Sequence, residues 1–246
     1  MNVAVILAGG VGKRAGAGMP KQFVRVLGKP VLAYTLESFQ GNANVDEIEV
    51  VCHRDHVDEI RAMAKEYGIG KARRFVTGGD TFQMSTMNGV MALKESLADD
   101  DVVLLHFAVS PMVTDEIIDD ALRVCAKYGN AIATDDMVMC TCIRDSDGLG
   151  TTKGILRETI GGFNGPWAFR YAFVRSLYER ASSEGVLATI EPHTTSIALH
   201  YGHKLYFSKS ASTNIKITHP EDFDAFEGML LVRHRRAQGI KREDPI

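Results

Sequence analysis

The chain of 246 residues suffices for one large α/β domain or two small ones. Its net charge of −3, from 28 Lys and Arg against 31 Asp and Glu, implies no field for nucleic acid or an anionic membrane. Apolar runs fall short of a transmembrane helix, and Met1 leads straight into a strand pattern without a signal peptide, so a cytoplasmic protein is expected. Four cysteines (Cys52, Cys125, Cys140, Cys142) make no disulfide scaffold in a chain this long, and Cys140-x-Cys142 reads as alternation on one strand rather than half a metal site.

Val3-Ala4-Val5-Ile6-Leu7 is a continuous apolar run, the pattern of a strand buried on both faces of a parallel sheet. A glycine-rich stretch follows, with no regular structure expected before Lys29-Pro30. Residues 30–39 read as a helix with Pro near its start, 47–52 as a strand, 55–67 as a helix ended by Gly68, and 71–76 as a strand. Gly78-Gly79-Asp80 is a turn before a helix over 83–97. Strands follow at 101–107 and 131–133, around a helix that Thr114 caps and that runs to Tyr128. This alternation predicts an α/β fold with a doubly wound, mostly parallel sheet.

The rhythm then breaks. Residues 138–143 and 154–160, separated by Asp145-Ser146-Asp147-Gly148, predict a hairpin arm at about 136–165 on a single domain spanning 1–246. Such an arm exposes apolar edges unless covered, so a homodimer is expected. Helices are expected at 172–182, 193–200 and 220–232, with short strands at 204–207 and 214–218. The basic tail from Arg233 to Arg242 reads as a frayed cationic helix end.

The stretch Leu7-Ala8-Gly9-Gly10-Val11-Gly12-Lys13-Arg14, closed by Met19-Pro20-Lys21-Gln22-Phe23, carries the first functional signal. Glycines at a strand's C-terminal end let backbone N–H groups surround an anion, and Arg14 and Lys21 add two cations. The spacing fits neither the P-loop nor the dinucleotide pattern. A glycine-rich turn alone is weak evidence, but five glycines and two cations converging on one strand end favour a polyphosphate site over a plain solvated loop.

Together with Gly28-Lys29-Pro30-Val31, Gly78-Gly79 before Ser85, His106-x-Ala108-Val109-x-Pro111, and Asn214-Ile215-Lys216-Ile217-Thr218-x-Pro220-Glu221-Asp222, this stretch resembles the polyol-phosphate cytidylyltransferases along nearly the whole chain. The resemblance implies a Rossmann-like nucleotidyltransferase fold and a CTP- and Mg²⁺-dependent reaction. In it a sugar-alcohol phosphate, such as 2-C-methyl-D-erythritol 4-phosphate or ribitol 5-phosphate, attacks the α-phosphorus of CTP and pyrophosphate leaves. It further implies that Arg14, Lys21 and Lys216 stabilise the reacting phosphates. Leu7, Gly9, Gly10 and Gly12 would hold the nucleotide, and Ala8, Gly79 and Ser85 would line the cytosine pocket. Arg157, reaching across a dimer, and Thr218 would bind the acceptor.

The departures from the family pattern cluster. Phe107 stands where the family keeps an aspartate expected to help hold the metal–nucleotide complex, which leaves the metal position unknown. Ser110 and Phe82 stand for arginines, Asn164-Gly165-Pro166-Trp167 for Gln-Thr-Pro-Gln, and His193-Thr194-Thr195-Ser196 for Thr-Asp-Asp/Glu-Ala. Three readings follow: an active cytidylyltransferase with Mg²⁺ held mainly by phosphates and water, an impaired paralogue that binds nucleotide or a partner, or a nucleotidyltransferase with altered base choice. A general base at His106 carries little weight, because a phosphate nucleophile is already ionised near neutral pH.

Overall fold

The computed structural model describes residues 1–10 and 19–239. In chain order its strands are β1 (Asn2–Leu7), β2 (Arg25–Val26), β3 (Lys29–Pro30), β4 (Glu47–Cys52), β5 (Ala72–Thr77), β6 (Val102–Phe107), β7 (Asn130–Asp136), β8 (Thr141–Ile143), β9 (Lys153–Ile155), β10 (Gly161–Arg170) and β11 (Phe207–Ser208). The α-helices are α1 (Val31–Gly41), α2 (Val57–Glu66), α3 (Phe82–Ala92), α4 (Asp115–Tyr128), α5 (Tyr171–Ser183), α6 (Thr194–His200) and α7 (Glu221–Ala237).

Seven strands form one sheet in the order β11-β7-β10-β6-β1-β4-β5. β1 pairs parallel with β4 and β6, which puts Leu7 beside Phe107 and Val51 at a common carboxyl edge. Because side chains alternate along a strand, β1 feeds two cores. Ala4 and Ile6 pack with α1, α2 and α4 on one face, whereas Val3, Val5 and Leu7 pack with α3, α5 and α6 on the other. That double burial explains the unbroken apolar run in the sequence.

The strand that the sequence reading lacks is β10. It runs from the end of the arm and lies antiparallel between β6 and β7. Pairing with β7 is interrupted between Phe163 and Trp167, so Gly165 and Pro166 sit where the ladder asks for no regular donor. A Cβ on Gly165 would lie 2.6 Å from Nδ1 of His106, so only glycine lets this strand approach β6 so closely.

Other boundaries shift for local reasons. The helix expected over 83–97 ends at Ala92, where i→i+3 bonds such as Ser96 N to Leu93 O take over. The expected strand at 154–160 shrinks to β9, followed by a 3-10 turn at Arg157–Thr159. At 204–207 only Phe207 joins the sheet, because the Asn130 side chain serves the Lys204 carbonyl and the Tyr206 N–H instead of a ladder. The segment 214–218 is irregular, its backbone held by side chains: Asn164 Nδ2 donates to Asn214 O at 2.8 Å. Order also begins before Lys29, with a 3-10 turn at Lys21–Phe23 and with β2. The last helix runs on through Arg233, Arg235 and Arg236 to Ala237.

The hairpin exists as β8 paired with β9, and Cys140 and Cys142 there are free and exposed. It leaves Val138, Met139, Leu149 and Leu156 exposed. No helix among the described residues is long and apolar enough to cross a membrane.

Candidate active site

At the carboxyl edge of β1 and β6 lies a cleft of about 580 Å³. Its floor is Leu7, Ala8, Gly9 and Gly10, and Lys21 and Gln22 return the chain to it. Gln22, buried, donates from Nε2 to the Ala8 carbonyl at 2.8 Å, pinning the return to the end of β1.

The opposite wall is the Gly78–Gly79 turn and the start of α3. Thr81 caps that helix, its Oγ1 accepting from Met84 N at 3.1 Å. Ser85 Oγ both accepts from Gly79 N and donates to Gly79 O, each at 3.1 Å. Cβ atoms on Gly78 and Gly79 would stand 2.7 Å from Ser85 Oγ and 2.4 Å from Met84 Cβ. The two glycines are therefore required for the turn to lie on the helix.

The third wall comes from the far end of the chain. Lys21 Nζ donates to Ile217 O at 2.7 Å, joining the first loop to the segment carrying Lys216 and Thr218. Asp222, in the first turn of α7, accepts from Thr218 N at 2.6 Å and His219 N at 2.8 Å. Burial pushes its carboxyl up, but those N–H donors and the charges of His219 and Lys21 outweigh it and hold it below its ordinary value.

A second cleft of about 510 Å³ adjoins the first and shares Phe107 and Lys216 with it. Asn164, Trp167, Glu191, His193 and Asn214 contribute to its lining. Phe107 sits between the clefts in an aromatic cluster, its ring centroid 5.7 Å from Phe82, 5.3 Å from Trp167 and 6.5 Å from His193. Lys216 Nζ lies 3.6 Å from the Phe107 ring centroid. His193 is held below its ordinary value by burial first and by the Lys216 charge second, against the opposing pull of Glu191.

Of the residues singled out in the sequence, Leu7, Ala8, Gly9, Gly10, Lys21, Gly79, Ser85, Lys216 and Thr218 all line the first cleft. Gly12 and Arg14 lie outside the described residues. Arg157 lines neither cleft of its own chain; it is on the arm, donating to Val138 O at 3.3 Å. His106 is buried behind Phe107 with Nε2 against Ser110 O at 2.9 Å, and burial lowers it to about 4, which suits a neutral structural imidazole. Sequence reasoning passed over the roles of Gln22 and Asp222, although Asp222 stands within a motif already noted. Phe82, Phe107, Trp167 and His193 stood among departures that cluster, but nothing in their spacing showed that all four rings meet.

The residues do not fit a protein-held divalent cation. Phe107 offers no oxygen, and no group of three or more His, Cys, Asp or Glu among the described residues could hold a metal. Asp80 is the single carboxylate among the described residues lining the first cleft, and the sequence of 11–18 contains none.

A mostly parallel sheet whose carboxyl edge carries a glycine-lined cleft, with a lysine from each end of the chain and a second adjoining cleft, is an α/β fold with its candidate site where such sheets bind ligands, and its structural neighbours are nucleotidyltransferases. The family model for 2-C-methyl-D-erythritol 4-phosphate cytidylyltransferase matches residues 2–231, and the chain belongs to that family of CTP-dependent enzymes. It is 34% identical over 230 residues to the ribitol-5-phosphate cytidylyltransferase of Lacticaseibacillus paracasei, covering 94% of this chain and 98% of that one. It is 33% identical over 231 residues to the 2-C-methyl-D-erythritol 4-phosphate cytidylyltransferase of Clostridium acetobutylicum, covering 94% and 97%. In fold it is similar to the crystal structure of 4-diphosphocytidyl-2C-methyl-D-erythritol synthase from Anaerococcus prevotii, with a TM-score of 0.78, 24% identity, and 94% and 96% of the two chains covered. Cytidylyltransferases of this family are generally metal-dependent.

Proposed function

We propose that the first cleft binds CTP and the second a sugar-alcohol phosphate, and that the chain joins them with release of pyrophosphate. The observation that carries this reading is the pair of adjoining clefts with Lys216 in the wall of both. An oxygen of the acceptor phosphate attacks the α-phosphorus, the bond from that phosphorus to the bridging oxygen breaks, and the electron pair leaves with pyrophosphate. The nucleophile is already an anion, so the protein's task is to bring two anions together and absorb the charge developing on the leaving group.

Gly9 and Gly10 donate backbone N–H groups to the triphosphate, joined by Gly12 and Arg14, while Lys21 and Lys216 approach the reacting phosphates from opposite sides. Ala8, Gly79 and Ser85 enclose the cytosine. Mg²⁺ enters as part of the substrate, bound by the CTP phosphates and water. Thr218, hydrogen bonded to Lys216 O, and Arg157 of a second copy hold the acceptor phosphate. The exposed apolar residues of the arm, and the distance of Arg157 from its own clefts, support a homodimer of single-domain chains that exchange arms at about 136–165. A triphosphate substrate confined by membranes supports action in the cytoplasm.

Two features pull apart on the acceptor: Pro220-Glu221-Asp222 leans towards the methylerythritol branch, whereas the arm lacks that branch's Pro-Val-x-Asp-Thr pattern and leaves ribitol 5-phosphate open. Pyrophosphate release is measured with each of the four nucleoside triphosphates against ribitol 5-phosphate, methylerythritol 4-phosphate and other polyol phosphates, with Mg²⁺ present. Turnover with CTP and one polyol phosphate is expected. CTP binding without turnover on any acceptor sinks the catalytic reading and leaves the impaired nucleotide binder.

A further inference from the structure

The Phe107 ring is clamped. It is 9% exposed, stacked on Phe82, and met edge-on by Trp167 and His193, so little freedom remains to it at the end of β6. Lys216 is exposed and lies on an irregular segment. Yet its ammonium lies 3.6 Å from the ring centroid, where the negative face of the π-system attracts a cation. That point is on the wall common to both clefts, in a corner where no described carboxylate cluster can gather a divalent ion. A ring that holds an ammonium in place repels nothing and ligates nothing; its effect is to fix one permanent positive charge.

We propose that Phe107 is a positioning residue for Lys216, its ring face holding the ammonium between the two clefts so that a side-chain cation, not a protein-bound metal ion, supplies the fixed charge there. The inference rests on the assignment of the clefts to nucleotide and acceptor. It predicts that the free protein carries no divalent-cation site at this corner, all metal arriving with the nucleotide. It also predicts that ring character, rather than bulk, matters at position 107. Leucine fills much of the same space without a π-face, whereas tyrosine keeps the face.

The test compares the native protein with Phe107→Leu and Phe107→Tyr after circular dichroism has confirmed that each is folded. In proton–carbon spectra the Lys216 ε-methylene protons, lying over a ring, are expected upfield in the native protein and in Phe107→Tyr, and at ordinary positions in Phe107→Leu. In pyrophosphate-release assays Phe107→Leu is expected to lose roughly tenfold in kcat, the scale of a lost cation–π contact, with the KM for CTP little changed. Phe107→Tyr is expected to recover most of that loss. Manganese titrated into the free native protein, followed by electron paramagnetic resonance, is expected to stay unbound until CTP is added.

A lysine resonance that ignores the substitution, equal kcat in Phe107→Leu and the native protein, or manganese bound tightly without nucleotide each overturns the inference while leaving the cytidylyltransferase reading intact. A native protein inactive with every nucleotide and acceptor overturns both. Should Phe107→Leu not fold, the native spectrum and the manganese titration still decide the matter.

Discussion

The two sides of the catalytic edge are built in different ways. On the nucleotide side the backbone does most of the work: Gly9, Gly10, Gly78 and Gly79 leave room for a ligand or for close packing, and Gln22 and Ser85 tie the loops to β1 and α3. On the side of the second cleft bulky rings take over: Phe107 and Trp167 line it, Phe82 stacks on Phe107 from the first cleft, and one lysine brings charge to them. At Gly78 and Gly79 the backbone cradle tolerates few changes, since an added Cβ would stand 2.7 Å from Ser85 Oγ or 2.4 Å from Met84 Cβ.

The largest effect expected of any substitution tests the cradle. Lys21→Ala removes a cation from the reacting phosphates and the bond to Ile217 O, and should lower kcat by at least about a hundredfold in the pyrophosphate assay. An unchanged rate would reduce the loop to a turn. Next, Gly79→Val should force the turn away from Met84, costing about 1–3 kcal/mol of stability in urea unfolding and raising the KM for CTP more than that for the acceptor. Equal rises in both constants would erase the distinction between the sides. His193→Ala should do the opposite, raising the acceptor KM roughly tenfold with the CTP constant nearly untouched, because His193 lines only the second cleft.

The smallest effect concerns pH. Glu49 in β4 is fully buried under Gly89 of α3, and burial, with Glu47 adding and Arg74 opposing, pushes its carboxyl up from 4.5 to about 8. It ionises earlier in the unfolded chain than in the folded one, so the stability it contributes is full below 4.5 and is lost as pH rises through about 8. His106, under the acceptor side, runs the other way. Lowered from 6.5 to about 4, it contributes fully above 6.5, and that contribution is lost as pH falls through about 4. Glu49→Gln should flatten the alkaline slope of urea midpoints between about pH 5 and about pH 8 and leave the acid slope as it was. A slope unchanged by that substitution would mean the carboxyl is ionised within the fold.

Where local pattern and tertiary demand agreed, the sequence was easy to read. β4 is found over the residues 47–52 expected as a strand, and the residues Gly9, Gly79, Ser85, Lys21 and Lys216 gather in one cleft. β10 was hidden because Gly165 meets a different requirement, the close approach to His106, which only the folded neighbour reveals. The segment 214–218 carries a strand-like alternation, but it bonds to loop backbone at Val109 and to the side chains of Asn164 and Lys21 rather than to another strand. The aromatic cluster was invisible for a related reason. Phe82, Phe107, Trp167 and His193 come from four separate elements or their edges, and only the sheet order brings them together.

The bond from Lys21 to Ile217 O spans 196 residues of chain. During synthesis the glycine loop emerges first and its lysine must wait for almost the whole polypeptide before its carbonyl partner exists. A stalled or truncated product ending before Ile217 would have both cores well advanced, yet its nucleotide cleft would lack a wall. The first cleft is therefore closed only by a chain made almost to its end, since Lys216 and Thr218 complete its lining.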